Sequence, residues 1–184
     1  LFDVRVFPRP ARAEDDAAFV FGDRRLGALG WDQVEFFLAT DPGAEPRPLS
    51  RVASGGELSR IMLAVRQAVG RHDSMRTSIY DEVDAGIGGA VADAVGRSLA
   101  QVARHRQVIC VTHLPQVAAY ADQHVVVDKK TVKGRSQTSL RRLMSEERIE
   151  ELARMLGASQ VTPQARANAR ALLKEASDYV GGAP

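Results

Sequence analysis

The chain has 184 residues, 45% hydrophobic and 26% charged, a length and composition that suit one globular domain and exclude a disordered or fibrous protein. No apolar run approaches the roughly 20 residues that span a bilayer, and the formal net charge of +2 is too small to imply nucleic-acid binding by itself. The single cysteine, Cys110, excludes an internal disulfide and a cysteine-rich zinc site, and it suits the reducing cytoplasm.

Strand patterns come first along the chain. Phe2, Val4 and Val6 alternate with other residues and predict a strand, and residues 34–38 predict a second one. The second strand is expected to end at the Asp-Pro-Gly turn signal of residues 41–43.

Helix and strand patterns then alternate. Apolar residues recur at helical spacing over 58–69, with Gly70 as the predicted left-handed end, and again over 91–102. Each helix pattern is followed by a short apolar strand, at 78–80 and at 108–112, and the second is typical of a strand buried on both faces. This order is typical of a crossover unit in a parallel sheet.

The last third of the chain predicts a hairpin and two helices. Residues 125–127 and 139–143 flank a basic turn that runs from Lys129 to Arg135. We therefore predict an α/β fold in one domain over residues 1–184, with a mainly parallel sheet flanked by helices and an antiparallel hairpin. The helix boundaries predicted after the hairpin are Ser145 as N-cap and Gly157 as end, then Thr162 as N-cap and Pro163 as first residue.

A glycine pair stands at the start of the first helix pattern, in Ser54-Gly55-Gly56-Glu57. One interpretation is a capping box between Ser54 and Glu57, which would be purely structural. However, each glycine in a helical turn costs up to about 1 kcal/mol relative to alanine, so capping alone does not explain two of them. Glycines also bare the first amides of the helix, and with the helix dipole these amides form an anion site that suits a phosphate.

An acid pair, Asp81 and Glu82, ends the short strand at 78–80. Ligands of parallel sheets bind at the carboxyl ends of strands. Adjacent acids point in different directions, so one can hold Mg²⁺, directly or through water, while the other faces a reacting water. The alternative interpretation is a solvated acidic turn.

His113 follows the next strand of the same crossover unit. The carboxyl ends of both strands open toward one edge of the sheet, so we expect His113 to share a site with Asp81 and Glu82. A hydrogen-bonded loop histidine is the alternative. The other three histidines lack this context and are expected at the surface: His72, His105 and His124.

The phosphate loop of nucleotide triphosphatases is missing from this sequence. Such a loop ends in Gly-Lys-Ser or Gly-Lys-Thr, and no Gly-Lys pair occurs in the 184 residues. We therefore expect another segment of polypeptide to hold most of any triphosphate.

Three segments resemble the motifs of ABC-type ATPases, in the form seen in the SMC-like branch. VASGGELSR at 52–60 resembles the signature motif, IYDEVD at 79–84 resembles the Walker B motif with its D-loop, and VTHLPQVA at 111–118 resembles the switch-histidine segment. Three motifs in the family's order are far more specific than any one of them. Longer strings are similar to the C-terminal part of a bacterial DNA-repair family in this branch, at 48–63, 81–89, 107–122 and 151–157.

The resemblance implies a role for each matching residue. Glu82 would be the general base that orients the attacking water, and His113 would contact the γ-phosphate of ATP. Asp81 would support Mg²⁺, and Asp84 would lie in the D-loop across a dimer interface. The signature residues that would bind the ATP held mainly by an opposing head are Ser54, Gly55, Gly56 and Glu57.

The same resemblance implies an assembly. The chain would be the C-terminal lobe of one ATPase head, without the Walker A lobe and the long coiled coil of the complete family pattern. Its expected partners are the N-terminal Walker A lobe of the same protein, a second head in a homodimer, and DNA, with no membrane. The implied function is ATP hydrolysis in recombination and double-strand break repair, in a bacterial, nucleoid-associated cytoplasmic protein. We expect no appreciable hydrolysis by this lobe alone.

Two other functions use the same motifs. The nucleotide-binding subunit of a membrane transporter has the same site, but transporters more often carry glutamine where this chain has Glu57. A non-catalytic dimerisation module would keep the fold without hydrolysis, but the intact pair of Asp81 and Glu82 argues against it. The basic turn could touch DNA phosphates, although a solvated loop is the favoured interpretation; its cations are Lys129, Lys130, Lys133 and Arg135.

Overall fold

The computed structural model describes residues 1–39, 42–51, 54–70, 75–132, 135–157 and 160–182. The predicted turn residue Asp41, the first two residues of the signature-like segment, His72 and Lys133 lie outside the described residues. The chain separates into two compact units, Leu1–Ser54 and Gly55–Pro184. The single domain predicted over the whole chain stays a prediction, because one domain can contain two such units.

The first unit is built from antiparallel strands. The bounds are β1 Phe2–Pro8, β2 Val20–Phe21, β3 Arg24–Arg25, β4 Asp32–Leu38 and β5 Arg47–Pro48, with 3₁₀ turns at Ala17–Phe19 and Leu49–Arg51. Strand β4 pairs with β1 on one side and with β5 on the other, and the short strands β2 and β3 pair with each other. The two strands predicted in this region, β1 and β4, are confirmed.

The second unit alternates helices with strands. Its bounds are α1 Gly55–Val69, β6 Thr77–Tyr80, α2 Gly89–Ala103, β7 Gln107–Cys110, α3 Pro115–Ala118, β8 Val125–Val132, β9 Arg135–Arg142, α4 Ser145–Met155 and α5 Pro163–Gly182. Strands β6 and β7 pair in parallel around the crossover helix α2, and β8 and β9 form an antiparallel hairpin. The α/β class, the crossover and the hairpin are confirmed. The parallel part is smaller than predicted, since every other strand pair in the described residues is antiparallel.

Three apolar cores lie in the described residues of the second unit, and the third is built around Tyr120. The first lies between α1, α2 and the parallel strands, where Leu63 and Tyr80 pack on the buried face of α2. The second lies between α4 and α5, where Leu152, Ala153 and Ala169 are fully buried. Truncating a buried leucine such as Leu152 to alanine costs about 2–5 kcal/mol. The α2 residues in the first core recur at helical spacing: Ala92, Val95, Leu99 and Val102.

Among the described residues, the parallel pair is covered on one face only. On the opposite face Ile79 is 70% exposed, Ile109 is 45% exposed and Val111 is 59% exposed. The prediction that the second strand is buried on both faces is therefore wrong for the described residues, because the described helices of this unit pack against one side of the pair. Parallel sheets normally have both faces covered.

The helix ends follow ordinary capping chemistry. Thr162 caps α5 as predicted, since its hydroxyl accepts a hydrogen bond at 3.1 Å from the backbone N–H three residues later. Gly70 follows α1 in the predicted left-handed conformation, with a φ of 56°. The predicted N-cap Ser145 is wrong: Met144 holds that position, because the Glu147 carboxylate accepts from the Met144 N–H at 2.9 Å and starts the helix one residue earlier.

None of the described helices is both long and apolar enough to cross a membrane.

Tyr120, just after α3, packs between α2 and α5. Its ring lies so close to Gly96 that an added Cβ there would stand 2.4 Å from the ring atom Cδ2. Its hydroxyl donates to Asp93 Oδ1 at 2.6 Å, and its ring meets the edge of Tyr179 with centroids 5.9 Å apart. Burial, followed by the hydrogen bond to Asp93, raises the pKa of Tyr120 to about 12. The missing side chain at Gly96 therefore sets how closely α2 approaches this ring.

We predict that Gly96→Ala lowers the free energy of unfolding by about 1–3 kcal/mol, the usual cost of overpacking a core. The new methyl group displaces the Tyr120 ring, and this outweighs the better helix propensity of alanine. Urea unfolding followed by circular dichroism measures the change. The control is Gly181→Ala in α5, where nothing lies within 4 Å of the added Cβ. Equal stability of the two variants would contradict this account of the packing.

Candidate functional site

The site lies at the carboxyl ends of the two parallel strands. Tyr80 at the end of β6 is paired with Cys110 at the end of β7, and the Val111 N–H donates to the Tyr80 carbonyl at 2.9 Å. The acid pair therefore follows one strand, and His113 follows the other, at the same edge. This confirms the prediction that both segments lie at the same edge of the sheet.

The acid pair begins a tight turn. Glu82 has a φ of 56°, and it is the one non-glycine residue with a positive φ in the described part of the chain. Asp81 Oδ1 accepts from the Glu82 N–H at 2.9 Å, and the Ala85 N–H donates to the Glu82 carbonyl at 3.0 Å. A left-handed glutamate costs roughly 1–2 kcal/mol, so other contacts must hold the turn. Both acidic side chains are exposed to solvent.

Helix α1 supplies those contacts. The Ser59 hydroxyl donates to the Asp81 carbonyl at 3.0 Å. The Arg60 guanidinium donates to the carbonyls of Val83 at 3.2 Å and Ala85 at 2.9 Å. The backbone of the acidic turn is therefore clamped by the second turn of the helix.

Sequence reasoning assigned no role to these two clamping residues. A signal was present, because Ser59 and Arg60 stand four residues after Gly55 and Gly56 and so lie on the same side of the helix as the glycine pair. The acidic turn that they bind is a long-range contact, which helical spacing alone does not reveal.

The glycine pair packs directly on the acidic turn. A Cβ on Gly56 would stand 2.9 Å from both the Glu82 carbonyl oxygen and the Ala85 Cβ, while a Cβ on Gly55 would stand 3.0 Å from Glu82 Oε2. Neither glycine has a positive φ. Close approach of the two backbones therefore explains Gly56, beside the predicted purpose of baring the helix amides. The Glu82 carboxylate lies near the helix start, where the dipole favours a negative charge.

The two remaining signature residues differ in their exposure to solvent. Ser54 is exposed, and Glu57 is partly buried in the first turn of α1. The capping box and the nucleotide contacts predicted for them stay predictions.

Asp84 is buried, with 3% of its surface exposed. Its Oδ2 accepts from the Thr112 hydroxyl at 2.5 Å and from the His113 backbone N–H at 2.9 Å, and it lies 3.0 Å from His113 Nδ1. Burial alone would raise the pKa of Asp84, but the hydrogen bonds from Thr112 and His113 outweigh it and lower the pKa. The predicted contact across a dimer interface stays a prediction, while within this chain the carboxylate binds the histidine segment.

The residues present fit a magnesium ion only together with another ligand. No three His, Cys, Asp or Glu side chains of the described residues cluster closely enough to hold a metal ion. Asp81 offers an exposed carboxylate, of which one oxygen already accepts from the Glu82 N–H. Mg²⁺ commonly takes one or two carboxylates from a protein and completes its shell with phosphate oxygens and water. Asp81 is therefore suited to Mg²⁺ that arrives with a phosphate.

The other described histidines and the cysteine differ in access to solvent. His105 is exposed as expected, but His124 is half-buried, and burial followed by the nearby Arg148 lowers its pKa. Cys110 at the end of β7 is also shielded: burial, then the charges of Asp84 and Asp81, raise the pKa of its thiol to about 12. The thiol is therefore protonated at neutral pH and is a poor nucleophile and metal ligand.

No protein-family model matches this chain, but curated relatives do. The chain is 46% identical over 167 residues to the DNA repair protein RecN of Streptomyces coelicolor, covering 90% of this chain and 29% of that one. It is 50% identical over 155 residues to RecN of Mycobacterium leprae, covering 84% and 26%. It is 39% identical over 176 residues to RecN of Bacillus subtilis, covering 95% and 31%. The chain thus spans less than a third of the length of these relatives.

Two solved structures also resemble the chain. One is the Smc head domain with a coiled coil and joint from Pyrococcus yayanosii, with a TM-score of 0.49 and 21% identity over 83% of this chain and 26% of that one. The other belongs to work on ATP-driven dimerisation and DNA-stimulated activation of SMC ATPases, with a TM-score of 0.41 and 21% identity over 73% of this chain and 81% of that one.

We predict that Gly56→Ala destabilises the protein by about 1–3 kcal/mol, because its methyl group meets backbone that cannot move without opening the acidic turn. The matched variant is Gly55→Ala, whose methyl group meets only the flexible end of Glu82. Gly55→Ala is expected to leave stability within about 1 kcal/mol of the parent. Urea unfolding of both variants checks the order, and a Gly55→Ala variant that loses more stability than Gly56→Ala would refute it.

We predict that Cys110 reacts slowly with a disulfide reagent in the folded protein. A pKa of about 12 in place of 9.0 lowers the reactive thiolate fraction at pH 8 by about 1,000-fold, and the onset of reaction moves to higher pH. Absorbance at increasing pH follows the reaction of this single cysteine. Unfolding in urea is the control and should restore the ordinary rate, whereas a fast reaction without urea would show that the thiol is not shielded.

Proposed function

We propose that the chain is the C-terminal lobe of an ATPase head, because it corresponds in sequence to the C-terminal part of RecN-type DNA repair proteins. The proposed activity is ATP hydrolysis in recombination and in the repair of DNA double-strand breaks, with each ATP shared by two heads. ATP and Mg²⁺ are the proposed cofactors, and the proposed location is the bacterial cytoplasm, on the nucleoid. These are properties of the assembled protein, of which the chain is one part.

The observation that carries the proposal is that three exposed side chains follow the two parallel strands at the same edge of the pair. Glu82 is proposed as the general base that orients water, Asp81 as the carboxylate that supports Mg²⁺, and His113 as the contact to the γ-phosphate. Phosphoryl transfer spreads charge over the phosphoryl oxygens, so its catalysis consists of positioning and charge neutralisation. When bound, Mg²⁺ would supply part of that neutralisation, and this chain would orient it through Asp81.

The partners follow from what this chain does not supply. No Gly-Lys phosphate loop occurs in its sequence, so the triphosphate must be held mainly by the N-terminal Walker A lobe of the same protein. The open apolar face formed by Ile79, Ile109 and Val111 supports such a partner, because a parallel sheet is normally covered on both faces. The signature residues are proposed to meet the ATP of a second head: Ser54, Gly55, Gly56 and Glu57.

DNA is proposed as a partner of the assembled protein, and the relatives support it by their role in DNA repair. Within this chain, Lys129, Lys130 and Arg135 are exposed near the tip of the β8–β9 hairpin. Three cations on a solvated hairpin do not by themselves indicate a DNA site. The proposal therefore assigns DNA binding to the assembly and not to this hairpin.

The decisive experiment restores the Walker A segment to this chain and measures ATP turnover against protein concentration. A site shared between two heads requires turnover per head to rise with concentration and then saturate. We predict that Glu82→Gln, which keeps the size of the side chain and removes the base, lowers kcat at least about 100-fold while ATP binding remains. The chain without the Walker A segment is expected to show no appreciable turnover.

The matched control is Glu175→Gln, a change to an exposed carboxylate on α5, which should leave turnover unchanged. Constant activity per head across monomer and dimer concentrations would reject the shared site. Turnover by the isolated chain that survives Glu82→Gln would reject the proposed function itself.

A further inference from the structure

We propose that Asp84 is a positioning residue, which fixes the orientation and the tautomer of the His113 ring and ties that ring to the turn bearing Glu82. This inference rests on the proposed function for its catalytic meaning, but the geometry behind it does not involve nucleotide. The resemblance implies that Asp84 lies in the D-loop across a dimer interface, and this stays a prediction. Within the chain, its carboxylate contacts the histidine segment.

A single carboxylate oxygen contacts several groups of the histidine segment. Asp84 Oδ2 accepts from the Thr112 hydroxyl at 2.5 Å and from the His113 backbone N–H at 2.9 Å. The same oxygen lies 3.0 Å from His113 Nδ1. The Thr112 hydroxyl in turn accepts from the Leu114 N–H at 3.1 Å. One oxygen of the buried Asp84 side chain therefore contacts both the backbone and the ring of His113.

The carboxylate defines which ring nitrogen carries the proton. An unprotonated ring nitrogen 3.0 Å from an ionised carboxylate oxygen would face that oxygen with a lone pair, which is unfavourable, so the proposed tautomer of the neutral His113 ring has its proton on Nδ1. The lowered pKa of Asp84 keeps the carboxylate ionised at neutral pH. Because the His113 side chain is 73% exposed, Nε2 is the ring nitrogen left for a group outside the lobe. A carboxylate orients the histidine of hydrolase triads by the same logic.

The position of the carboxylate is itself fixed by α1. The carbonyls on either side of Asp84, those of Val83 and Ala85, both accept from the Arg60 guanidinium, at 3.2 and 2.9 Å. Glu82 belongs to the same turn, two residues earlier. A displacement of this turn would therefore move the proposed base and the proposed phosphate contact together.

The tautomer of His113 can be measured directly. The chain is labelled with ¹⁵N-histidine, and nitrogen–carbon-bound proton correlation spectra are recorded at about pH 8, where free imidazole is neutral. The His113 signals are assigned by their loss in His113→Gln. The parent protein is expected to show protonated Nδ1 and unprotonated Nε2. A parent ring protonated mainly on Nε2 would overturn the proposal without any further variant.

Variants separate positioning from mere stability. Asp84→Ala removes the acceptor and is expected to shift His113 toward the Nε2–H tautomer, with a broader distribution of ring orientations. Asp93→Ala is the matched control, because Asp93 accepts from Tyr120 at 2.6 Å and Arg97 at 2.8 Å, in contacts that involve neither His113 nor the acidic turn. An unchanged tautomer in folded Asp84→Ala, or the same shift in Asp93→Ala, would overturn the proposal.

Asp84→Asn keeps an oxygen in the same place and guards against a variant that fails to fold. The Thr112 hydroxyl and the His113 N–H both require an acceptor there, so the amide oxygen is expected to take the position of Oδ2 and to retain the Nδ1–H tautomer. A folded Asp84→Asn that shifts to the Nε2–H tautomer would contradict this geometry.

Turnover in the protein with the Walker A segment restored gives the catalytic readout. Asp84→Ala is expected to lower kcat on the order of 100-fold with little change in KM, since a small misplacement of a contacting group has effects of this size. An unchanged kcat would refute the positioning role. If the tautomer shifts as expected but no variant or parent hydrolyses ATP, the proposed function fails while the hydrogen-bonded geometry stands.

Discussion

The candidate site depends on one close approach of two backbones, that of Gly56 at the start of α1 and that of the turn after β6. Because no Cβ intervenes, the helix comes near enough for Ser59 and Arg60 to reach the carbonyls of the turn. Those carbonyls need hydrogen-bond donors, and the clamp offsets the roughly 1–2 kcal/mol of a left-handed glutamate. The direction in which Glu82 leaves the strand is therefore set by helix residues that lie more than twenty positions before the parts of the turn that they contact.

Burial divides the acidic residues of the turn into two kinds. Asp84 is almost fully buried, and the loss of hydration that this causes is compensated by donors from Thr112 and His113. Its oxygen is thereby committed to holding the protein's own chain. Asp81 and Glu82 keep their hydration and can exchange it for a ligand. The acid that the histidine segment covers, Asp84, therefore has a structural part. The two acids that it leaves uncovered, Asp81 and Glu82, remain accessible to a ligand.

Periodicity predicted the elements of the second unit and the shared edge, because a crossover helix forces the two strands to run in parallel and to end together. It could not separate Asp84 from Asp81 and Glu82, since burial there depends on Thr112, 28 residues away in the chain. The hydrogen bonds from Ser59 and Arg60 to the acidic turn could not be predicted either, because they also join residues far apart in the chain. Strand β7 was expected to be covered on both faces, and this was wrong. Hydrophobicity shows that a side chain can be buried, but it does not show which element covers it.

Electrostatics gives an independent argument for the proposed partner lobe. The groups it presents at the sheet edge are two exposed carboxylates and one imidazole, and the exposed acids repel the phosphates of ATP. At 4 Å two like charges cost about 1 kcal/mol even in bulk water and about 4 kcal/mol near a protein surface. Mg²⁺ can balance part of this repulsion through Asp81, and the rest requires donors aimed at the phosphates, such as the backbone amides and lysine of a phosphate loop. Under the proposed function, a chain with the proposed base and metal carboxylate but without that loop would act on a nucleotide that other polypeptide holds.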